Sequence, residues 1–266
     1  MEITEYLAAV DRAYDTLRGG ELEARLLELL AQAEAQFGPR SREYASLLSE
    51  AGGYYRGQSR LEASEDCFAR ALDILPAGTA DYGTALNNLA GTHRLMGRLD
   101  EAEAEFLTCL EILRQTGGPE RILLAAAMNN LSLLYLDRDR PDEAARWLNE
   151  AAAILAALPE HREEYASSLC NLAALDLRMG RAEAAEERLR TAVALYENEL
   201  GTDTPHYHSA LNSLGVALWR ENDPAGAAAA FEKGLDAVRA LYGEEHPDYA
   251  RLAAHRDAAL ERLENA

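Results

Sequence analysis

Asparagine side chains recur in similar contexts along this chain, within the strings LNNLA, MNNLS, CNLAA and LNSLG. A carboxamide offers two donors and one acceptor, so it can hold the main chain of an extended peptide without selecting its sequence. Asparagine is also unfavourable inside helices, which makes its recurrence informative. Its other possible role is to bridge neighbouring helices and stabilise them. The candidates are Asn88, Asn130 and Asn171 at one position, and Asn87, Asn129 and Asn212 at the position before it.

Arginines occur near the ends of these repeated segments, although the chain as a whole is acidic, with a net charge of −20. A guanidinium binds a carboxylate in a bidentate manner, through two parallel hydrogen bonds. These arginines are therefore expected to favour acidic side chains or a free carboxylate. The alternative is that they pair with acids of the chain itself, such as Glu50 or Asp137. One tryptophan nearby is a candidate anchor, because aromatic side chains dominate binding hot spots. The set comprises Arg56, Arg94, Arg178, Arg220 and Trp219.

Other patterns that could do chemistry are weak, and no catalytic, metal-binding or cofactor-binding residue is predicted. The sequence lacks HExxH, GxSxG, a Walker loop and GxGxxG. Residues 137–148 begin like a calcium loop but lack its turn glycine and final glutamate. His206 and His208 would point about 200° apart on a helix, so they could hardly share one ion. An enzyme is therefore the least favoured class.

These side chains belong to a segment that recurs five times. Two apolar positions define the register, and both recur after 38, 42, 41 and 42 residues. Between them lies a helix breaker, and on either side the apolar spacing is helical. Each repeat is therefore expected to be a helix, a tight turn and an antiparallel helix. The first position is Leu48, Leu86, Met128, Leu169 and Leu211; the second is Phe68, Phe106, Leu148, Leu189 and Phe231; the breaker is Ser59, Gly97, Asp139, Gly180 and Asn222.

The repeats predict one continuous array. Residues 1–38 are expected to form a degenerate helical pair that caps the array, and residues 247–266 a final capping helix, because terminal elements leave one face uncovered. Turn-rich segments, including TGGPER at 116–121, separate the repeats. The five repeats lie at about 39–78, 79–119, 120–161, 162–203 and 204–246.

Composition restricts the environment and the partners. With 26 lysines and arginines against 46 acids, nucleic acid is not expected, since phosphate binding needs dense positive charge. Neither a signal peptide nor a membrane-spanning segment is predicted. Three cysteines without metal spacing are typical of a reduced cytoplasm. Abundant alanine, glutamate and arginine, with one lysine, are consistent with a bacterial source.

The repeated motifs resemble the tetratricopeptide repeat (TPR), and the length near 42 residues resembles the kinesin light chain type. The resemblance covers about 38–250. It implies a right-handed, all-α superhelix whose first helices line a concave groove. In related domains, asparagine at the position of Asn88, Asn130 and Asn171 holds the ligand backbone. The motif residues are Leu86, Leu89, Ala90, His93, Ala102 and Phe106 in the second repeat, and Leu211, Leu214, Gly215, Leu218, Ala227 and Phe231 in the fifth.

Three functional hypotheses follow from the sequence. The first is a cytoplasmic adaptor that binds an extended peptide or protein tail in the groove. The second is a regulatory receptor for a signalling peptide, or an allosteric regulator of a partner enzyme. The third is a scaffold that self-associates through its ends.

Overall fold

The computed structural model describes residues 2–116 and 121–265, which form thirteen α-helices and no β-strand. The prediction of an all-α chain is confirmed. Most of the predicted turn at 116–121 lies outside the described residues. The helices are α1 Ile3–Thr16, α2 Gly19–Phe37, α3 Arg42–Gly57, α4 Leu61–Ile74, α5 Ala80–Leu95, α6 Leu99–Thr116, α7 Arg121–Asp137, α8 Pro141–Ala156, α9 Arg162–Arg178, α10 Ala182–Leu195, α11 Pro205–Arg220, α12 Pro224–Tyr242 and α13 Pro247–Glu264.

The chain divides into two compact units, Met1–Leu134 and Tyr135–Ala266. In the first unit, α3 packs against α4 and α5 against α6, and α2 and α4 contact the first helix of the following pair. In the second unit, α9 packs against α10, α11 against α12, and α12 against α13. Each unit is therefore a stack of helical pairs in which every layer covers the apolar face of the next.

The apolar positions that set the register form the core. Phe68 and Phe106 are fully buried, and Leu189 and Phe231 share one buried cluster in the second unit. A methyl group placed on Gly52 would approach the Phe68 ring within 2.8 Å, and one on Gly215 would approach Phe231 within 2.4 Å. In each of these two helical pairs, glycine on the first helix therefore lets that helix lie directly against the phenylalanine ring of the second helix.

The turn inside each helical pair has one geometry. All five predicted breakers adopt a left-handed backbone, with φ of 58° at Ser59, 78° at Gly97, 54° at Asp139, 74° at Gly180 and 63° at Asn222. The following residue donates its N–H to a carbonyl five positions earlier, as from Arg98 to His93 at 2.9 Å. This is the Schellman arrangement, which satisfies carbonyls that the helix end leaves unbonded.

None of the described helices combines the length and the hydropathy needed to cross a bilayer.

Phe106→Ala is expected to lower the free energy of unfolding by about 3–5 kcal/mol, because it empties a fully buried site in the middle of a stack. The adjacent Leu107 is 42% exposed, so Leu107→Ala is the matched control and should cost less than about 1 kcal/mol. Chemical denaturation measures both. A Phe106→Ala loss no larger than the control's would show that the register is wrong.

Exchanging the breakers should shift stability in opposite directions. Ser59→Gly is expected to stabilise by up to about 1 kcal/mol, since serine is strained at φ of 58° and glycine is not. Gly97→Ser should destabilise by a similar amount, because its φ is 78°. Midpoints of urea unfolding report both changes, and a loss on Ser59→Gly would contradict the turn geometry.

Candidate functional site

Two of the predicted asparagines bond to each other across consecutive repeats. The side chain of Asn87 on α5 is buried, and its Oδ1 accepts a hydrogen bond of 3.2 Å from Nδ2 of Asn130 on α7. Without this bond the Asn87 carbonyl would be buried and unsatisfied, at a cost of about 1–3 kcal/mol. In the free protein this pair therefore bridges repeats, which was one of the two roles the sequence left open.

The same bridge recurs in the second unit with a different partner. Oδ1 of Asn212 on α11 lies 3.1 Å from Nδ1 of His255 on α13. Asn212 occupies the repeat position of Asn87, and His255 that of Asn130. Sequence reasoning missed His255, although aligning residues 249–255 with the earlier first helices would have found it. The capping helix thus continues the inter-repeat pattern.

Arg56 carries a positive charge into a half-buried place between α3 and α5. Its Nη1 donates to the backbone carbonyl of Asn88 at 3.1 Å, and both Nη atoms lie 3.4 Å from Oδ1 of Asn88. Its guanidinium also lies 5.7 Å from the centre of the Phe68 ring. Burial, together with the nearby charge of Arg94, lowers the pKa of Arg56.

The partners of Arg56 are uncharged. Among the described residues no carboxylate forms an ion pair with it, although the chain has a large excess of acids. Asn88 uses its oxygens here, while its amide nitrogen makes no hydrogen bond within the described part of the chain. The group therefore combines a poorly compensated cation with an available N–H donor.

The remaining candidates differ in accessibility. Asn171 and Arg178 on α9 are exposed and make no hydrogen bond or ion pair with the residues that the structure describes. Arg220 is exposed and donates to the backbone carbonyl of Leu177. Arg94 and Trp219 are half-buried, the latter under the guanidinium of Arg262 at 4.7 Å.

Asn129 differs from the other candidates because its Oδ1 is buried. No residue in the described ranges donates a hydrogen bond to that atom. Its side chain as a whole is only half-buried. Asn129 therefore neither bridges repeats as Asn87 does nor presents its carbonyl oxygen to solvent.

Asn130→Ala and Asn171→Ala should separate bridging from accessible asparagines. Asn130→Ala leaves the Asn87 carbonyl unpaired and should lower the free energy of unfolding by about 1–3 kcal/mol. Asn171→Ala removes an exposed side chain and should change it by less than about 0.5 kcal/mol. Both variants gain the same helix propensity from the change to alanine. The difference between their free energies of unfolding, measured by chemical denaturation, therefore gives the contribution of the Asn87–Asn130 hydrogen bond. Equal effects would mean that the Asn87–Asn130 bond adds nothing to stability.

Comparison with known proteins identifies the family. A curated relative, kinesin light chain-related protein 2 of Arabidopsis thaliana, is 25% identical over 158 residues, or 58% of this chain, and the chain spans about a quarter of that relative's length. Among solved structures, BtubC (BKLC) from P. vanneervenii has a TM-score of 0.65 at 16% identity and covers 93% of this chain and 94% of its own. The apo form of RapI has a TM-score of 0.74 at 11% identity, over 99% of this chain and 71% of its own.

These two structures share the fold with this chain. The family model for the tetratricopeptide repeat matches residues 81–157 and 164–240, which is more than half of the sequence. Such repeats generally serve as protein-interaction modules without catalytic activity. The chain belongs to the tetratricopeptide repeat family, and its relatives by sequence and structure include the kinesin light chain type.

Proposed function

We propose that this protein is a non-catalytic adaptor that binds an extended acidic peptide, or an acidic protein tail, through the arginines and asparagines on its first helices. The observation that carries the proposal is Arg56, a half-buried guanidinium beside Arg94 with only uncharged partners in the described structure. A carboxylate placed there would compensate the charge of Arg56. Arg binds such a group through two parallel hydrogen bonds.

The asparagines would hold the peptide backbone. Among the described residues the amide N–H of Asn88 has no acceptor and lies beside the cation that would take the carboxylate, and Asn130 donates one of its amide protons to Asn87. In the second unit, Asn171 and Arg178 are exposed on one helix and offer the same pair of chemistries. The proposed contacts are therefore an amide for the main chain and a guanidinium for an acidic side chain or terminus.

Acids on the second helices support this assignment. Arg98 in the turn of the second repeat holds Glu65 on α4 at 2.7 Å and Glu101 on α6 through a shorter contact. These two acids are therefore compensated by Arg98, and Arg56 is left outside this group. An acidic ligand would be attracted to Arg56 rather than to the outer surface.

The experiment starts from a partner captured on the immobilised protein and identified by mass spectrometry. A peptide covering its acidic segment is then titrated calorimetrically against the protein. Arg56→Gln should weaken binding by about tenfold, because a charge-assisted hydrogen bond is worth about 1.5–3 kcal/mol. Raising the salt concentration should weaken wild-type binding more than that of the variant.

The control is Arg25→Gln, which removes an arginine on α2 that already pairs with Glu28 at 2.6 Å. It changes the net charge equally and should leave the affinity within about twofold. If Arg25→Gln and Arg56→Gln weaken binding equally, the effect is one of overall charge and the proposed contact is wrong.

A further inference from the structure

Two histidines replace small or hydroxylated residues where α11, α12 and α13 meet in the second unit. The repeat position of His208 holds alanine or glycine in the other four repeats, and those four residues are buried. The repeat position of His246 holds serine or threonine before α3, α5 and α11, where the hydroxyl caps the helix. Both departures lie beside the helix that covers the last pair. The small residues are Ala45, Gly83, Ala125 and Ala166, and the hydroxyl caps are Ser41, Thr79 and Thr204.

The imidazole of His246 caps the start of α13. Its Nδ1 accepts a hydrogen bond of 3.2 Å from the backbone N–H of Asp248, so this nitrogen carries no proton. A hydroxyl cap such as that of Thr204 keeps its lone pairs at any ordinary pH, whereas both nitrogens of an imidazolium are donors. Protonation of His246 would therefore abolish the cap and place a positive charge at the positive end of the helix dipole.

His208 on α11 is buried close to this cap. Its side chain is 3% exposed, and its Nδ1 has no hydrogen-bond partner within the described part of the chain. Its ring lies edge-on to that of Tyr242 on α12, with 6.0 Å between the ring centres, and the Tyr242 ring stacks on that of His246 at 4.5 Å. Burial lowers the pKa of His208, because a charged ring would be desolvated there.

The charges around His208 do not offset the cost of burying an imidazolium. The Asp248 carboxylate favours the charged ring, but Arg251, His246 and His206 disfavour it. One oxygen of Asp248 lies 2.9 Å from Nη2 of Arg251, and the other lies 3.7 Å from Nδ1 of His246. A single carboxylate therefore faces an arginine and two histidines, and it cannot compensate all three.

Both histidines act on stability in the same direction of pH. The folded state binds a proton at His208 less readily than the unfolded chain does. The contribution of His208 to stability is therefore complete above the ordinary histidine pKa of about 6.5 and is lost as the pH falls below that value. Protonation of His246 adds to this loss, since it removes the cap of α13.

The element that these contacts hold is α13. Its Leu252 is fully buried in the same cluster as Leu235 and Val238 of α12. A methyl group placed on Gly234 of α12 would lie 3.2 Å from Leu252, so the two helices pack closely there. Separation of α13 would therefore uncover an apolar face of α12.

We propose that His208 and His246 form an acid-sensitive switch that holds α13 against α12 at neutral pH and releases it under mildly acidic conditions. This inference goes beyond the proposed function and requires no ligand. The switch replaces a residue that cannot titrate with one that can, at two places that contact the same Tyr242 ring.

Hydrogen exchange of the full-length protein, followed by mass spectrometry at about pH 7.5 and about pH 5.5, brackets the range in which histidines titrate. After correction for the intrinsic exchange rate at each pH, the protection of the α13 amides should fall by about tenfold on acidification, because a buried histidine can contribute up to that factor one pH unit below its ordinary pKa. A fall of less than about twofold overturns the proposal.

Matched variants assign the effect to the two histidines. His246→Thr restores the cap that Thr204 gives α11, and it should reduce the fall in protection to about threefold. His208→Phe keeps an aromatic ring against Tyr242 and cannot titrate. The double variant should show a fall of less than about twofold, since neither replacement gains a proton in this range. Each variant is compared with its own protection at neutral pH, so a change in overall stability does not obscure the response.

The control is His206→Gln, which removes an exposed histidine from the same end of α11. It should keep the wild-type fall within about twofold, because an exposed charge contributes little. If His206→Gln abolishes the fall, or if the double variant retains it, the release does not arise at His208 and His246 and the proposal is wrong. Should His208→Phe fail to fold, an undiminished fall in His246→Thr overturns the proposal alone.

Discussion

The turn between the two helices of each repeat is the constraint on which the rest depends. One residue must adopt a left-handed backbone conformation. The N–H of the next residue must donate a hydrogen bond to the carbonyl five positions earlier, as from Arg181 to Asp176 at 2.8 Å. This closure reverses the chain within a few residues and brings the two apolar stripes face to face. Close packing such as Gly215 against Phe231 is possible only once the reversal is fixed.

Consecutive repeats are joined partly through polar groups that look functional in the sequence. The Asn87–Asn130 and Asn212–His255 contacts lie at matching positions, 43 residues apart in each case. A hydrogen bond between partly buried polar side chains fixes the register of neighbouring helices more narrowly than apolar contact alone, because its geometry tolerates little sliding. Asparagine inside these helices therefore has a structural use that does not exclude a second one at atoms left free.

The helical pairs could be predicted from the sequence because their determinants are local. The apolar ladders and the breakers, including the non-glycine residues Ser59, Asp139 and Asn222, were sufficient. The partners of the asparagines could not be predicted, since they depend on how closely first helices of different repeats approach. The Arg56–Asn88 contact likewise arises where first helices of consecutive repeats meet, and no single repeat contains it.

Asn88 holds Arg56 in place in the free protein. A free arginine samples many rotamers, and immobilising such a side chain on binding costs about 0.5–1.5 kcal/mol. Here most of that ordering happens during folding, and the stacked Phe68 ring restricts the guanidinium further. Association at this point would therefore resemble docking onto a rigid template, and differences in affinity between ligands would reside mainly in their dissociation rates.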